Sequence, residues 1–256
     1  MRKFRELMRG NELIVAPVAL DMRAVCRLPI VLDAGGGWGD PVHVHRTIAL
    51  AEAAGFAAIE IEDQLLPRRV EHRAGVDHLI PTELMLKKIA EVTKDPVVAV
   101  FNTHIHGDHW LGNQAIKAAY PKVVIYAHPK MKAKTATDGE GWVTLLNNMT
   151  DGAVRGTQPV APDTHIEHDE TLALNGTHFR IYHNGKAHTD GDIMIEVAEE
   201  KVMFLGDNAL VDRIGRMDDG DFKGNVAALE MALAAGVQHF VPGHGPSNGR
   251  AVAEGY

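Results

Sequence analysis

Short apolar runs and helical patterns alternate along the first part of the chain, up to a break at Lys94-Asp95-Pro96. Before the break, Glu12–Val18 and Pro29–Asp33 read as strands, the second ending in Gly35-Gly36-Gly37. Val42–Ala54 reads as a helix closed by Gly55, and Ala57–Ile61 as a strand that ends at Glu62-Asp63. Pro81–Val92 predicts a further helix. This rhythm predicts βα units. After the break, Val97–Phe101 has the character of a buried strand, and Lys122–Ala127 is the next. Residues 130–165 look polar and irregular, with a helix only near Trp142–Met149, and we expect this stretch to line a pocket. From Thr171 the pattern turns strand-rich: Thr177–Tyr182, Asp192–Val197 and Lys201–Leu205. A helix over Asn225–Ala235, stopped by Gly236, and a short strand His239–Val241 follow. The predicted class is α/β, with residues 1–95 and 96–256 as separate segments.

Composition narrows the function. With 256 residues, 45% of them hydrophobic, the chain can bury a sizeable core. The formal net charge of −8 argues against a nucleic-acid partner, which calls for a clustered basic face. No run approaches the ~18 apolar residues of a membrane span. No apolar segment follows the charged opening, so we expect no signal peptide and a cytoplasmic setting. The single cysteine, Cys26, excludes an internal disulfide and a cysteine-rich zinc knuckle. The expected partner is a small-molecule substrate, and nothing in the pattern selects an oligomeric state.

Histidine stands out: 15 residues against 4 tyrosines and 3 tryptophans. The densest group is Thr103-His104-Ile105-His106-Gly107-Asp108-His109, directly after the apolar run Val97–Phe101. In extended backbone, residues two apart project to one side, so His104 and His106 can share a cation. Gly107 permits a bend that turns Asp108 and His109 toward a second position. Imidazole and carboxylate together suit a borderline cation such as zinc. Three further segments carry ligand types beside predicted strands: His188 in Ala187–Asp192, Asp207 after Phe204-Leu205-Gly206, and His244 in Val241–Gly245.

His-x-His-x-Asp-His followed by His188, Asp207 and His244 resembles the metallo-β-lactamase superfamily over about residues 96–247. The resemblance implies an αββα-type layered sandwich, with the N-terminal βα units replacing its usual first strands. It implies a first metal held by His104, His106 and His188. A second is held by Asp108, His109 and His244, with Asp207 bridging. An aspartate rather than a cysteine at the bridge is similar to the glyoxalase-II-like and general hydrolase branches. Two zinc ions are implied, with iron or manganese also compatible with an all-nitrogen and oxygen set. Such a pair ionises water near neutral pH, polarises a carbonyl or phosphoryl oxygen and stabilises the leaving group. Asp108 is the expected catalytic residue, orienting the nucleophile and relaying a proton. The expected activity is hydrolysis of a small ester, thioester, lactam or phosphoester.

About residues 1–92 resemble a fragment of another family. Val31-Leu32-Asp33-Ala34-Gly35-Gly36-Gly37-Trp38-Gly39, Ile59–Gln64, Pro67-Arg68-Arg69 and Leu79-Ile80-Pro81 with Glu83 are similar to the isocitrate lyase and phosphoenolpyruvate mutase superfamily. That family uses a (β/α)₈ barrel of typically ~250 residues, which this segment cannot complete. Its Asp-x-Asp magnesium motif stands here as Asp33-Ala34-Gly35, and Val70 replaces the lyase-type cysteine. A magnesium-dependent C–C or P–C lyase and a non-catalytic metal-binding relic are the alternative readings. His165, His168, His178 and His183 match no ligand position, although His183 is close enough to His188 to shape a pocket. Trp110 is expected to pack a helix. Lys186 and Asn208 flank the site, either as solvated loop residues, the favoured reading, or as contacts to an anionic substrate. The family usually carries a helix after the final histidine, whereas this chain stops at Tyr256.

Overall fold

The structure is a computed structural model, describing residues 31–34, 41–56, 58–63, 75–211, 214–245, 247 and 249–255. The expected strand Glu12–Val18, the Gly35-Gly36-Gly37 turn and Pro67-Arg68-Arg69 lie outside these residues. The chain divides into two compact units, Met1–Asp95 and Pro96–Tyr256.

In the first unit, β1 (Val31–Asp33) pairs in parallel with β2 (Ala58–Glu60). The connecting α1 (Pro41–Ala53) ends at Gly55, whose φ of 76° lets Phe56 N donate back to Ala51 O. A left-handed residue there is what a helix stop of this kind needs. α2 (Thr82–Val92) packs against α1. The βα rhythm read from the sequence is present.

The second unit is a four-layer sandwich. Its parallel sheet has the order β3 (Ala99–Phe101), β4 (Val124–Ala127), β5 (Thr164–His165). The other sheet runs β10–β9–β8–β7–β6, from β6 (Thr171–Leu174) through β7 (Thr177–Tyr182) and β8 (Met194–Val197) to β9 (Val202–Leu210) and β10 (His239–His244). β6 to β9 are antiparallel neighbours, while β10 joins β9 in parallel. Asn175-Gly176, with φ of 50° and 88°, closes the β6–β7 hairpin. Asn-Gly is the favoured pair for a two-residue turn that needs both φ values positive.

Three apolar clusters glue the layers. Ile166, Ile181, Ile193 and Ile195 fill the space between the sheets, with Phe101, Tyr126, Leu172 and Phe179 packed on them. Met203, Leu205 and Phe240 face α5 (Phe222–Ala234) and α6 (Ala251–Glu254) through Ala228, Leu229, Ala232, Val252 and Ala253. On the opposite side, Ile105, Trp110, Leu111 and Ala127 meet Met131 and Val143 of α4 (Pro129–Met149). α3 (Asn113–Ala119) follows the histidine turn.

Two expectations need correction. Residues 130–165 are not mainly irregular, because the 21-residue α4, Pro129–Met149, runs through the first part of this stretch. Its buried stripe is Met131, Thr135, Gly139 and Val143. This is a clean i, i+4 spacing, but only two members are strongly apolar, so the periodicity is invisible in hydrophobicity. His128 at the N-cap accepts from Lys130 N, and Pro129 takes the first turn. Asp207 likewise does not end a strand. β9 continues through it to Leu210, with irregular register opposite Pro242. A proline inside a strand removes a ladder donor, which is where such a shift belongs. The chain also carries a short helix, α6, after His244.

At Gly139 a Cβ would lie 2.7 Å from Pro159 Cβ and 3.3 Å from Trp110 Cη2. Gly139→Ala should therefore cost ~1–3 kcal/mol despite the better helix propensity of alanine. A lowered urea midpoint with an unchanged slope is the expected readout.

Candidate metal centre

The histidine turn leaves β3 under tight control. Asn102 and Asn113 exchange side-chain hydrogen bonds, Asn102 Nδ2 to Asn113 Oδ1 at 3.0 Å and Asn113 Nδ2 to Asn102 Oδ1 at 2.8 Å. Both are buried, so this reciprocal pair satisfies polar groups that water cannot reach. Ile193 N donates to Thr103 O at 2.9 Å, tying the turn to the strand-rich sheet. Gly107–His109 then form a single 3₁₀ turn, with His109 N donating to His106 O. A Cβ at Gly107 would lie 2.9 Å from Trp142 Cβ, so the turn packs directly on α4. His104 and His106 precede this bend, and Asp108 and His109 lie within it.

The other three groups arrive from the second sheet. His188 sits in the loop before β8, where its backbone N donates to Asn208 Oδ1 at 3.3 Å. Asp207 projects from β9 beside Gly206, whose φ is 54°. His244 is the last residue of β10. A Cβ at Gly243 would run into the Asp207 carboxylate, so glycine there leaves the room this side chain occupies.

All seven residues expected from the sequence converge, in two groups. His104, His106, His188 and Asp207 form one, and Asp108, His109 and His244 the other, with donor atoms in each group within 4.8 Å of one another. Asp207 Oδ2 lies 3.5 Å from His188 Nε2, 3.8 Å from His104 Nε2 and 3.6 Å from His244 Nε2. Its Oδ1 is 3.2 Å from His109 Nε2, so this carboxylate touches both groups. Asp108 Oδ2 is 3.2 Å from both His109 and His244 Nε2. Donors of a tetrahedral zinc site at ~2.0–2.1 Å stand roughly 3.3 Å apart, so these separations suit a small cation. His104 Nε2 is buried and has no hydrogen-bond partner, and its nearest carboxylate oxygen is beyond hydrogen-bond range. An orphaned ring nitrogen aimed at a carboxylate fits a ligand better than a structural histidine.

The electrostatics point the same way. Burial, reinforced by His109, His188 and His106, lowers the pKa of His104 well below its ordinary value. Burial also lowers His188, to about 4, against the pull of Asp207. These imidazoles are neutral at pH 7 and have lone pairs to offer. Burial opposes charge on Asp207, but hydrogen bonding and charge from His109, then His244 and His188, hold its pKa down. Asp108 is held low in the same way by His109 and His244, against its burial. Desolvation disfavours a charged His109, yet Asp108 and Asp207 outweigh it and push His109 up to about 10.

The remaining candidate residues sort by burial and partner. Trp110 is buried and donates to Ile105 O, which is packing. His165, His168, His178 and Lys186 are exposed. Asn208 is buried and structural: it accepts from His188 N and donates to Leu205 O. His183 donates through Nδ1 to Asp192 O at 2.7 Å and stacks on His128 with ring centroids 3.9 Å apart. Sequence reasoning missed Trp142, whose ring centroid lies 4.8 Å from that of His106. It also missed Asp219, 3.4 Å from His106 Nε2. An aromatic in a helix and one acid among Asp218, Asp219 and Asp221 give no distinguishing signal. Among the described residues, no helix is long and apolar enough to cross a membrane.

The profile of the metallo-beta-lactamase superfamily matches residues 29–244, which covers the whole cluster. The chain belongs to the metallo-β-lactamase superfamily. Solved structures agree on the fold. A metallo-beta-lactamase from Pontibacter korlensis superposes with a TM-score of 0.55 at 21% identity, over 72% of this chain and 81% of that one. TTHA1623 in a di-iron-bound form superposes with a TM-score of 0.52 at 24% identity, over 66% and 80%. The N-terminal segment resembles a different family. The 2-methylisocitrate lyase of Aeropyrum pernix is 41% identical over 68 residues, 27% of this chain. The match spans only 22% of that lyase's length. Family membership and the histidine–aspartate cluster together support a metal-dependent hydrolase.

Two outcomes follow for the folded state. A divalent cation added to chelated protein at a hundredfold excess over Kd should raise stability by ~2.7 kcal/mol per site. Asp207→Ala should remove most of that gain in a urea titration. Separately, burial, then His183 and Lys130, depress His128 to about 4 from an ordinary 6.5. Between those values the unfolded chain takes up a proton that the folded chain refuses, so stability falls as pH drops from about 6.5 to about 4. His128→Asn keeps a capping side chain and should flatten the dependence of the urea midpoint on pH in that window.

Proposed function

We propose that the protein is a hydrolase with a dinuclear, zinc-type centre that cleaves a small ester, thioester, lactam or phosphoester. The observation that carries this reading is the shared carboxylate: Asp207 lies within 3.8 Å of imidazoles from both donor groups. His104, His106 and His188 would hold one cation, and Asp108, His109 and His244 the other, with Asp207 between them. Two such cations supply ionised water at neutral pH and polarise a carbonyl or phosphoryl oxygen. The name of one similar structure, a di-iron-bound form, supports iron beside zinc for this donor set.

The chain's own residues account for the rest. Asp108 is the most exposed of the seven at 42%, while His104, His188 and Asp207 are buried. A small molecule therefore meets Asp108 at the mouth of the site. Its carboxylate is held ionised, which suits it to orient the attacking water. The half-buried Trp142 ring beside His106 offers an apolar wall on the other side. The competing magnesium-lyase reading rests on a segment that spans about a fifth of the lyase it matches.

A panel of chromogenic ester, thioester, phosphodiester and cephalosporin substrates tests the proposal. Cation-loaded protein should hydrolyse at least one, and His104→Ala and Asp207→Ala should each drop that rate to background. No turnover of any substrate, or full activity in both variants, would overturn it.

A further inference from the structure

Two imidazoles that precede the 3₁₀ turn present opposite nitrogens. His104 places Nδ1 3.0 Å from Thr103 Oγ1, which leaves Nε2 toward Asp207. His106 is turned the other way. Its Nδ1 lies 3.0 Å from His188 Nε2, inside the donor group, and its Nε2 points outward to Asp219 Oδ2 at 3.4 Å. A neutral imidazole carries one N–H, and which nitrogen bears it follows from the partner of the other. With the proton on Nε2, the Nδ1 lone pair is free for a cation. With the proton on Nδ1, an N–H points into the site and His106 is no ligand.

We propose that Asp219 is the positioning residue of the first cation site: it accepts the Nε2–H of His106 and so fixes Nδ1 as the ligating atom. This rests on the reading that His104, His106, His188 and Asp207 hold a cation. The placement of Asp219 is built, not incidental. Asp218 pairs with Arg216 at 2.8 Å on one side of it. On the other, Asp221 N donates to Ala187 O at 2.8 Å. A Cβ at Gly220 would lie 2.6 Å from Ala187 O and 2.7 Å from His188 O, so this loop is pressed onto the His188 segment. One packed unit thus delivers both His188 and the carboxylate that sets the tautomer of His106. Trp142 confines the ring from the side of α4.

The test uses single-site backgrounds of the full chain and zinc as the probe. His244→Ala isolates the first donor group, and His104→Ala isolates the second. Asp219→Ala should weaken zinc binding about 10–100-fold in the His244→Ala background, measured by chelator competition, as expected for loss of a ligand's outer partner. It should leave affinity unchanged in the His104→Ala background. Asp219→Asn, which can still accept from Nε2 without a charge, should fall between wild type and Asp219→Ala. The cobalt-substituted spectrum of the first site should shift with Asp219→Ala, and melting of the metal-free chain should not. Equal zinc affinity with and without Asp219→Ala in the first background overturns the proposal. So does an equal loss in both backgrounds. Absence of zinc binding to the unmutated chain would instead overturn the metal-site reading beneath it.

Discussion

A carboxylate buried from water has to be neutralised by its surroundings, and the second unit is organised around one that is. Asp207 is 7% exposed, and imidazole nitrogens of His104, His109, His188 and His244 lie within 3.8 Å of it. An isolated ionised carboxylate in that position would be prohibitively unfavourable. The surrounding imidazoles come from three separate stretches of chain, so satisfying this charge requires both sheets to be in place at once. Local features serve the same end. Gly243 leaves space for the carboxylate, and Gly206 accepts the left-handed backbone beside it. Pro242 sits where the β9–β10 register shifts.

The site was more legible than the frame that carries it. Cation chemistry restricts ligands to a few residue types, and His104-x-His106-x-Asp108-His109 concentrates them in one turn. His188, Asp207 and His244 were legible because each lies in or beside an apolar strand. α4 was not, because Gly139 and Thr135 stand on its buried face where hydrophobic residues would announce a helix. Its contact with Pro159 and Trp110 selects glycine there, a tertiary demand that no window of sequence displays. The length of β9 was missed for a related reason. Lys201–Leu205 was read as the whole strand, whereas pairing with β10 carries it through Gly206 and Asp207 to Leu210. Asp219 was illegible because an outer partner can be any acceptor at any distance along the chain.

The first unit shows a different relation between pattern and meaning. Its β1–α1–β2 rhythm was read closely, since short strands and a glycine-stopped helix are local signals. The likeness of this segment to a lyase family is equally local. It confers a βα geometry without the eight-fold closure that family's barrel requires. Among the described residues, the groups able to hold a cation all lie in the second unit.

Asn208, the neighbour of Asp207 on β9, receives His188 N on its Oδ1 and Asn225 Nδ2 on its backbone oxygen. Asn225 belongs to the first turns of α5. The His188 segment and the seating of that helix therefore share one amide side chain. A substitution that moves Asn225 therefore reaches the segment carrying His188 through one shared side chain and its own backbone oxygen.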